Sequence, residues 1–153
     1  MTNDDRIAIE SIRKTIHSYT IAGDSRDRDL FATLWAEDAV MEFAGFGPVP
    51  GFRSVGRAEI VGRTQSWSPV PGQDPSLTLT RFIRHNLTTS LIDLTGADTA
   101  KSRTYFVVLT EIGQDHAGTY NDEFILEGGN WLFSHRRIEV DWRSDGSLFP
   151  PLK

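Results

Sequence analysis

The chain has 153 residues, of which 39% are hydrophobic and 24% are charged, with a formal net charge of −5. This balance is typical of a globular protein with a real core, and the lack of long Lys/Arg runs argues against a nucleic-acid partner. There is no cysteine, which excludes disulfides and a cysteine nucleophile and is consistent with a cytoplasmic location. No apolar run reaches the roughly 20 residues of a membrane span and no signal peptide is visible, so we expect no membrane partner.

The first predicted element is a helix over residues 5 to 23. Asn3 or Asp4 is predicted to cap it, and Gly23 is a natural helix end. His17 falls off the apolar face and is predicted to be exposed to solvent. That face is formed by residues spaced three and four apart, namely Ile9, Ile12, Ile16 and Tyr19.

Asp24 follows the predicted end of this helix at once. A carboxylate there lies at the negative end of the helix dipole, which slightly destabilises its charged form. A specific role for Asp24 would explain why an aspartate occupies this position. Either Asp24 or Asp27 caps the next helix, or Asp24 has a partner elsewhere in the fold. The second helix is predicted from Asp27 to Trp35, with its apolar residues turned inward.

The middle of the chain predicts shorter elements. Residues 39–43 are predicted to form a short strand, and residues 45–56, rich in Gly and Pro, a loop or an irregular hairpin. A third helix is predicted from Arg57 to about Trp67. Residues 68–76 contain several prolines and are predicted to be a flap-like loop.

Four long strands are predicted in the second half, over residues 81–94, 99–112, 117–127 and 130–142, with a turn over residues 113–116. Alternation along the first of them places His85 on an apolar face, between Ile83 and Leu87. An imidazole in an apolar wall is either a hydrogen-bonded core histidine or a catalytic base.

The opposite face of these strands predicts assembly into a homo-oligomer, a dimer or a trimer. We assign to it four large apolar side chains, those of Phe82, Ile92, Phe106 and Val108, which are too hydrophobic for a fully hydrated surface.

Helices come first and the antiparallel strands last, so the predicted class is α+β, with the helices on one face of the sheet. We expect a single domain over residues 1–153.

The order and spacing of these motifs resemble the SnoaL-like branch of the nuclear transport factor 2-like superfamily. The resemblance covers about residues 5 to 142 and implies a cone-shaped α+β barrel, in which a curved antiparallel sheet wraps three N-terminal helices. It is carried by residues 19–24 (YTIAGD), Asp27, 29–31 (DLF), 38–39 (DA), 56–60 (GRAEI), 84–85 (RH), 118–124 (GTYNDEF) and 129–133 (GNWLF).

Within this superfamily, an aspartate closing the first helix and a histidine on the first long strand resemble scytalone dehydratase and hexachlorocyclohexane dehydrochlorinase. In both, an Asp–His dyad removes a proton, which implies catalytic roles for Asp24 and His85. Arg136 matches an arginine of the dehydrochlorinase. Further substrate-binding candidates are Tyr19 and the aromatic residues Trp35, Phe46 and Phe133, each of which is otherwise an ordinary core residue.

A cofactor-free mechanism is expected, because no nucleotide-binding motif and no metal-ligand spacing are present. An imidazole has an unperturbed pKa of about 6.5 and acts as a base near neutral pH. The predicted function is therefore a lyase or isomerase that abstracts a proton from a small hydrophobic cyclic molecule, in a dehydration, an elimination or a double-bond isomerisation. The alternative is a non-catalytic ligand-binding or scaffold protein, similar to the small subunits of ring-hydroxylating dioxygenases.

Overall fold

The computed structural model describes residues 1–67 and 82–148, so the predicted flap at 68–76 lies outside the described residues. None of the helices in these two ranges is long and apolar enough to cross a membrane. The helices are α1 (Asn3–Ser25), α2 (Arg28–Ala32) and α3 (Arg57–Gly62), with a 3₁₀ turn at Arg63–Trp67. The strands are β1 (Trp35–Phe43), β2 (Phe52–Val55), β3 (Ile83–Leu94), β4 (Thr99–Thr110), β5 (Gly113–Glu127) and β6 (Asn130–Arg143).

The six strands form one curved sheet in the order β2-β1-β6-β5-β4-β3. Neighbouring strands are antiparallel except β1 and β6, which run parallel, and the sheet is not closed because β2 and β3 form its two edges. Helix α1 packs against β3 and β6 inside the curve. The predicted α+β class, with a curved sheet around the N-terminal helices, is confirmed. The core between the layers includes Ile12, Ile16, Trp35, Phe124 and Phe133.

Helix α1 is longer at both ends than predicted. Thr2 caps it through a capping box, in which its hydroxyl accepts from the Asp5 N–H and the Asp5 carboxylate accepts from the Thr2 N–H. The helix passes Gly23 and ends at Ser25, because Arg26 adopts the left-handed conformation (φ 59°) and its N–H closes the last turn. Asp24 therefore lies within the last helical turn.

Helix α2 is shorter than predicted, and the assignment of Trp35 to a helix is wrong. Asp27 caps α2 by accepting from the Leu30 N–H at 2.9 Å, but the helix ends at Ala32. Trp35 instead begins β1 and pairs with Phe133 of β6. A short apolar run has no decisive period, so pairing with a distant strand determined its conformation here.

A β-bulge between Leu87 and Ser90 changes which side chains of β3 face the helices. Beyond it the alternation is reversed, so Ile92 points inward. The assignment of Ile92, Phe106 and Val108 to an outer face is wrong, because all three are buried. Phe82, just before β3, is 43% exposed, and the large apolar side chains exposed on β3, β4 and β6 are Leu91, Tyr105 and Trp142.

A second bulge moves the start of β5 to Gly113, so the predicted turn over residues 113–116 is wrong. Val108 pairs with His116 and Leu109 with Gln114, which leaves Asp115 as the extra residue. Both Asp115 and His116 are buried as a result. A histidine that the sequence places in an exposed turn thus enters the interior of the fold.

Candidate functional site

A cavity of about 220 Å³ lies between the helices and the concave face of the sheet. Most of its wall is aliphatic or aromatic, with contributions from the three helices, the 3₁₀ turn and all six strands. Such a cavity suits an apolar ligand that a few polar groups orient. The polar side chains that line it are Tyr19, Arg63, Thr64, His85, His116 and Tyr120.

Asp24 and His85 contact each other at two points on one side of this cavity. The Asp24 Oδ1 atom lies 2.6 Å from His85 Nδ1, and Asp24 Oδ2 accepts from the His85 backbone N–H at 3.0 Å. Because β3 is an edge strand, a backbone N–H that points away from β4 is open to a group from α1. The side chains are 9% exposed for Asp24 and 21% exposed for His85.

This two-point contact determines the chemistry open to His85. An ionised carboxylate only accepts hydrogen bonds, so the proton on the His85 ring lies on Nδ1 and the basic lone pair on Nε2. The backbone contact prevents the carboxylate from swinging away from the ring. Asp24 therefore holds the imidazole in one tautomer and stabilises the imidazolium that would form on proton uptake.

A second Asp–His pair, which the sequence analysis missed, lines the same cavity. His116 Nδ1 lies 2.7 Å from Asp115 Oδ1, and both side chains are almost completely buried. The centroid of the His116 ring is 6.5 Å from that of His85, with the two planes near perpendicular. No local signal marks this position, because only the bulge in β5 turns an apparent turn residue inward.

The pKa values of both members of this pair are lowered, but for different reasons. Burial lowers the pKa of His116, although the adjacent Asp115 carboxylate opposes that change. Burial would raise the pKa of Asp115, but hydrogen bonds from Ser147, the Leu148 N–H, His116 and Thr110 outweigh it and hold the pKa below its ordinary value. Asp115 therefore remains charged at neutral pH.

Tyr19 and Tyr120 line the cavity in front of the buried Arg136. The guanidinium carbon lies 3.9 Å from the Tyr19 ring centroid and 4.2 Å from that of Tyr120. Arg136 also forms a bidentate ion pair with Asp122, at 2.7 and 2.8 Å, and this charge raises its pKa despite burial that would lower it. Arg136 thus lies behind the wall of the cavity rather than among its lining residues.

The other aromatic candidates lie in different places. Trp35 and Phe133 are fully buried in the core, with ring centroids 5.1 Å apart. Phe46 packs in a second cluster with Phe43 and Val49, at the loop between β1 and β2. The described aromatic residues that line the cavity, besides the two tyrosines, are Phe31, Phe43, Phe52 and Phe106.

Arg63 is a further lining residue that the sequence did not single out. It stacks on Phe52, with its guanidinium carbon 3.4 Å from the ring centroid, and both side chains line the cavity. In the parts of the chain that the structure describes, no three His, Asp or Glu side chains converge as metal ligands.

The fold and the cavity define a class of small α+β proteins with a pocket enclosed by a curved sheet. A family model for the SnoaL-like domain matches residues 5–137, so the chain belongs to the SnoaL-like family. No curated protein sequence matches the chain.

Solved structures with this fold include three whose names describe enzymes or enzyme subunits. A candidate scytalone dehydratase from Novosphingobium aromaticivorans is 19% identical, with 95% of this chain and 91% of that chain covered and a TM-score of 0.75. The hexachlorocyclohexane dehydrochlorinase LinA-type3 from Novosphingobium barchaimii is 17% identical, with 94% and 93% covered and a TM-score of 0.71. The β subunit of a candidate aromatic-ring-hydroxylating dioxygenase from N. aromaticivorans is 18% identical, with 93% and 94% covered and a TM-score of 0.73. At these identities the likeness shows the fold alone.

Proposed function

We propose that the chain is a cofactor-independent lyase or isomerase in which Asp24 and His85 abstract a proton from a small hydrophobic cyclic substrate. The observation that carries the proposal is the contact of 2.6 Å between Asp24 Oδ1 and His85 Nδ1, on the wall of a mostly apolar cavity. His85 Nε2 is the base, and Asp24 orients the ring. An imidazole held in this way contributes roughly 10²–10⁴-fold to a proton transfer.

The surroundings of the dyad favour this chemistry. Removal of a proton next to a carbonyl or a leaving group places negative charge on the substrate. Because an apolar wall excludes water, nearby dipoles stabilise that charge more strongly than they would in solvent. Tyr19 and Tyr120 present their rings to the cavity with the Arg136 cation behind them. We propose that this cluster stabilises the developing charge, with the tyrosines in contact with the substrate and Arg136 acting through them.

A cavity of about 220 Å³ is compatible with one six-membered ring and its substituents. The names of two structural neighbours, a candidate scytalone dehydratase and a hexachlorocyclohexane dehydrochlorinase, refer to a dehydration and to a loss of hydrogen chloride from a substituted cyclohexane. They support dehydration or elimination as the reaction, with double-bond isomerisation open to the same base.

The alternative is a ligand-binding or scaffold protein without catalysis. Its support is the neighbour that is a dioxygenase β subunit, which has the same fold. A scaffold of this kind has no need of a cavity, and side chains would fill the cone. The cavity of about 220 Å³ and its histidine-lined wall favour the enzyme.

The proposal is tested by incubating the protein in D₂O with a panel of cyclic ketones and hydroxy-substituted cyclic compounds, read by mass spectrometry. A base at Nε2 of His85 is expected to exchange the acidic C–H of at least one ring compound for deuterium, whether or not a product forms. Binding without any exchange across the panel would favour the scaffold alternative.

We also propose that the chain is a cytoplasmic homo-oligomer, a dimer or a trimer. The absence of cysteine supports the location. The exposed apolar side chains of Phe82, just before β3, and of Leu91, Tyr105 and Trp142 on β3, β4 and β6 support the assembly. Light scattering at micromolar concentration is expected to give two or three times the 17.2 kDa of one chain, and a mass of one chain would contradict the proposal.

A further inference from the structure

The two Asp–His pairs face the cavity from one side of the sheet. His85 of β3 pairs with Val108 of β4, and Val108 pairs with His116 of β5, so the two histidines occupy one row across three strands. Side chains in such a row project from the same face of a sheet. The centroids of the two rings are 6.5 Å apart, and both rings line the cavity.

We propose that His116, held by Asp115, is a second proton-transfer residue that delivers a proton to the substrate while His85 removes one. This inference rests on the proposed function, because it assigns the other half of the same reaction. Asp115 engages His116 at Nδ1, at 2.7 Å, so Nε2 is the atom that exchanges a proton with the substrate. Both imidazoles line one cavity with their centroids 6.5 Å apart, so a single ligand in that cavity is within reach of both.

The proposed dehydration needs no reagent besides the substrate and the two histidines. In a dehydration, the substrate C–H bond breaks and its proton passes to His85 Nε2, while the electron pair forms the new C=C bond. The C–O bond breaks as the His116 imidazolium donates its Nε2 proton to the oxygen, which leaves as water. His85 is then protonated and His116 is neutral, and proton exchange with solvent restores the starting form.

The surroundings of His116 act on its charged form in opposite directions. Burial lowers the pKa of its ring, as do the neighbouring His85 from β3 and Arg143 from β6, while Asp115 on its own strand opposes the change. When His116 is protonated, the fixed charge of Asp115 stabilises it, much as Asp24 does for His85.

A charge on His85 disfavours a charge on His116. The form with one proton between them carries both a base and an acid. Activity is therefore expected to follow a bell-shaped curve, falling at low pH where both rings are charged and at high pH where neither is.

The C-terminal segment positions this second pair. Asp115 accepts from four donors, which are the His116 ring, the Thr110 hydroxyl at 3.0 Å, the Ser147 hydroxyl at 2.5 Å and the Leu148 N–H at 2.8 Å. Two of these donors come from the segment that follows β6. Asp115, Ser147 and Leu148 are thus positioning residues that hold the His116 ring against the cavity.

The test uses 3-hydroxycyclohexanone in D₂O with the full-length wild-type chain and its variants. Two readings are taken: deuterium exchange at the carbon beside the carbonyl, which needs the base, and formation of cyclohexenone, which needs base and acid. His116→Asn keeps an amide donor for Asp115 and removes the ring nitrogen Nε2. Dehydration is expected to fall about 10²-fold or more relative to exchange, and the high-pH limb of the profile is expected to disappear.

His17→Asn, on the exposed face of α1, is the matched control and is expected to change neither reading. His116→Gln is a second variant that also removes the imidazole. At least one of His116→Asn and His116→Gln is expected to fold with the melting temperature of the wild type. The inference is overturned if both keep the wild-type ratio of dehydration to exchange, while loss of exchange in His85→Asn would still support the dyad. A wild-type chain that neither exchanges nor dehydrates 3-hydroxycyclohexanone or any other compound of the panel would overturn the dyad and this inference together.

Discussion

Replacement of His85 by alanine is expected to lower turnover by about 10²–10⁴-fold, because it removes the only atom that the proposed mechanism uses as a base. Asp24→Asn is expected to have a loss of similar size. Its amide would accept from the His85 backbone N–H and donate to Nδ1, which moves the ring proton to Nε2 and abolishes the base. The measurement is steady-state turnover of the best compound from the panel, beside thermal melts.

The double variant His85→Ala/Asp24→Asn is expected to lose little more activity than either single variant, since members of one catalytic unit are not additive. His17→Ala is the matched control, because this histidine lies exposed on α1 and is not among the residues that line the cavity. Wild-type turnover in His85→Ala would disprove the dyad, and so would losses that simply multiply in the double variant.

Replacement of Arg136 by methionine is expected to destabilise the fold by about 3–5 kcal/mol, because it leaves the buried Asp122 carboxylate without its partner. The side chains of Arg136 and Asp122 are both fully buried, and two hydrogen bonds of 2.7 and 2.8 Å join them. The rings of Tyr19, Tyr120 and Phe133 surround the guanidinium, so water has little room to replace it. The measurement is the free energy of unfolding in urea.

Arg137→Met is the matched control on the same strand. Its side chain is exposed and pairs with Glu139 and Glu42, and exposed ion pairs contribute about 0–1 kcal/mol. The double variant Arg136→Met/Asp122→Leu is expected to recover much of the loss, because a buried apolar pair avoids the cost of an isolated charge. If the free energy of unfolding of Arg136→Met lies within about 1 kcal/mol of the wild-type value, the ion pair is not a buried contact from which water is excluded.

Much of the fold follows from patterns that are local in the chain. The apolar residues of α1 repeat with the helical period, and Ile12 and Ile16 are in the core as that period predicts. Near His85 the strand alternates in the predicted phase, with Arg84 and Asn86 exposed on the other side. Asp27 caps α2, one of the two capping residues that the turn sequence suggests. These features depend on residues a few positions apart.

The candidate site was only partly predictable. The positions of Asp24 and His85 are predicted from a resemblance, and the structure brings these residues into contact, but no pattern in the chain joins two residues that are 61 positions apart. Catalysis by them stays a proposal. The burial of Arg136 and its pairing with Asp122 likewise depend on the register between β5 and β6, which has no local signature.

The sequence by itself determined the α+β class, the long strands and the N-terminal helix, because helical and strand periods act over a few neighbours, although Thr2 and not the predicted Asn3 or Asp4 caps that helix. Only the tertiary structure decided which side chains share the cavity. Bulges in β3 and β5 reverse the alternation, sending Ile92 and His116 inward, and Trp35 joins a strand because β6 pairs with it. A bulge is a property of two strands in register, so a single strand's sequence does not contain it.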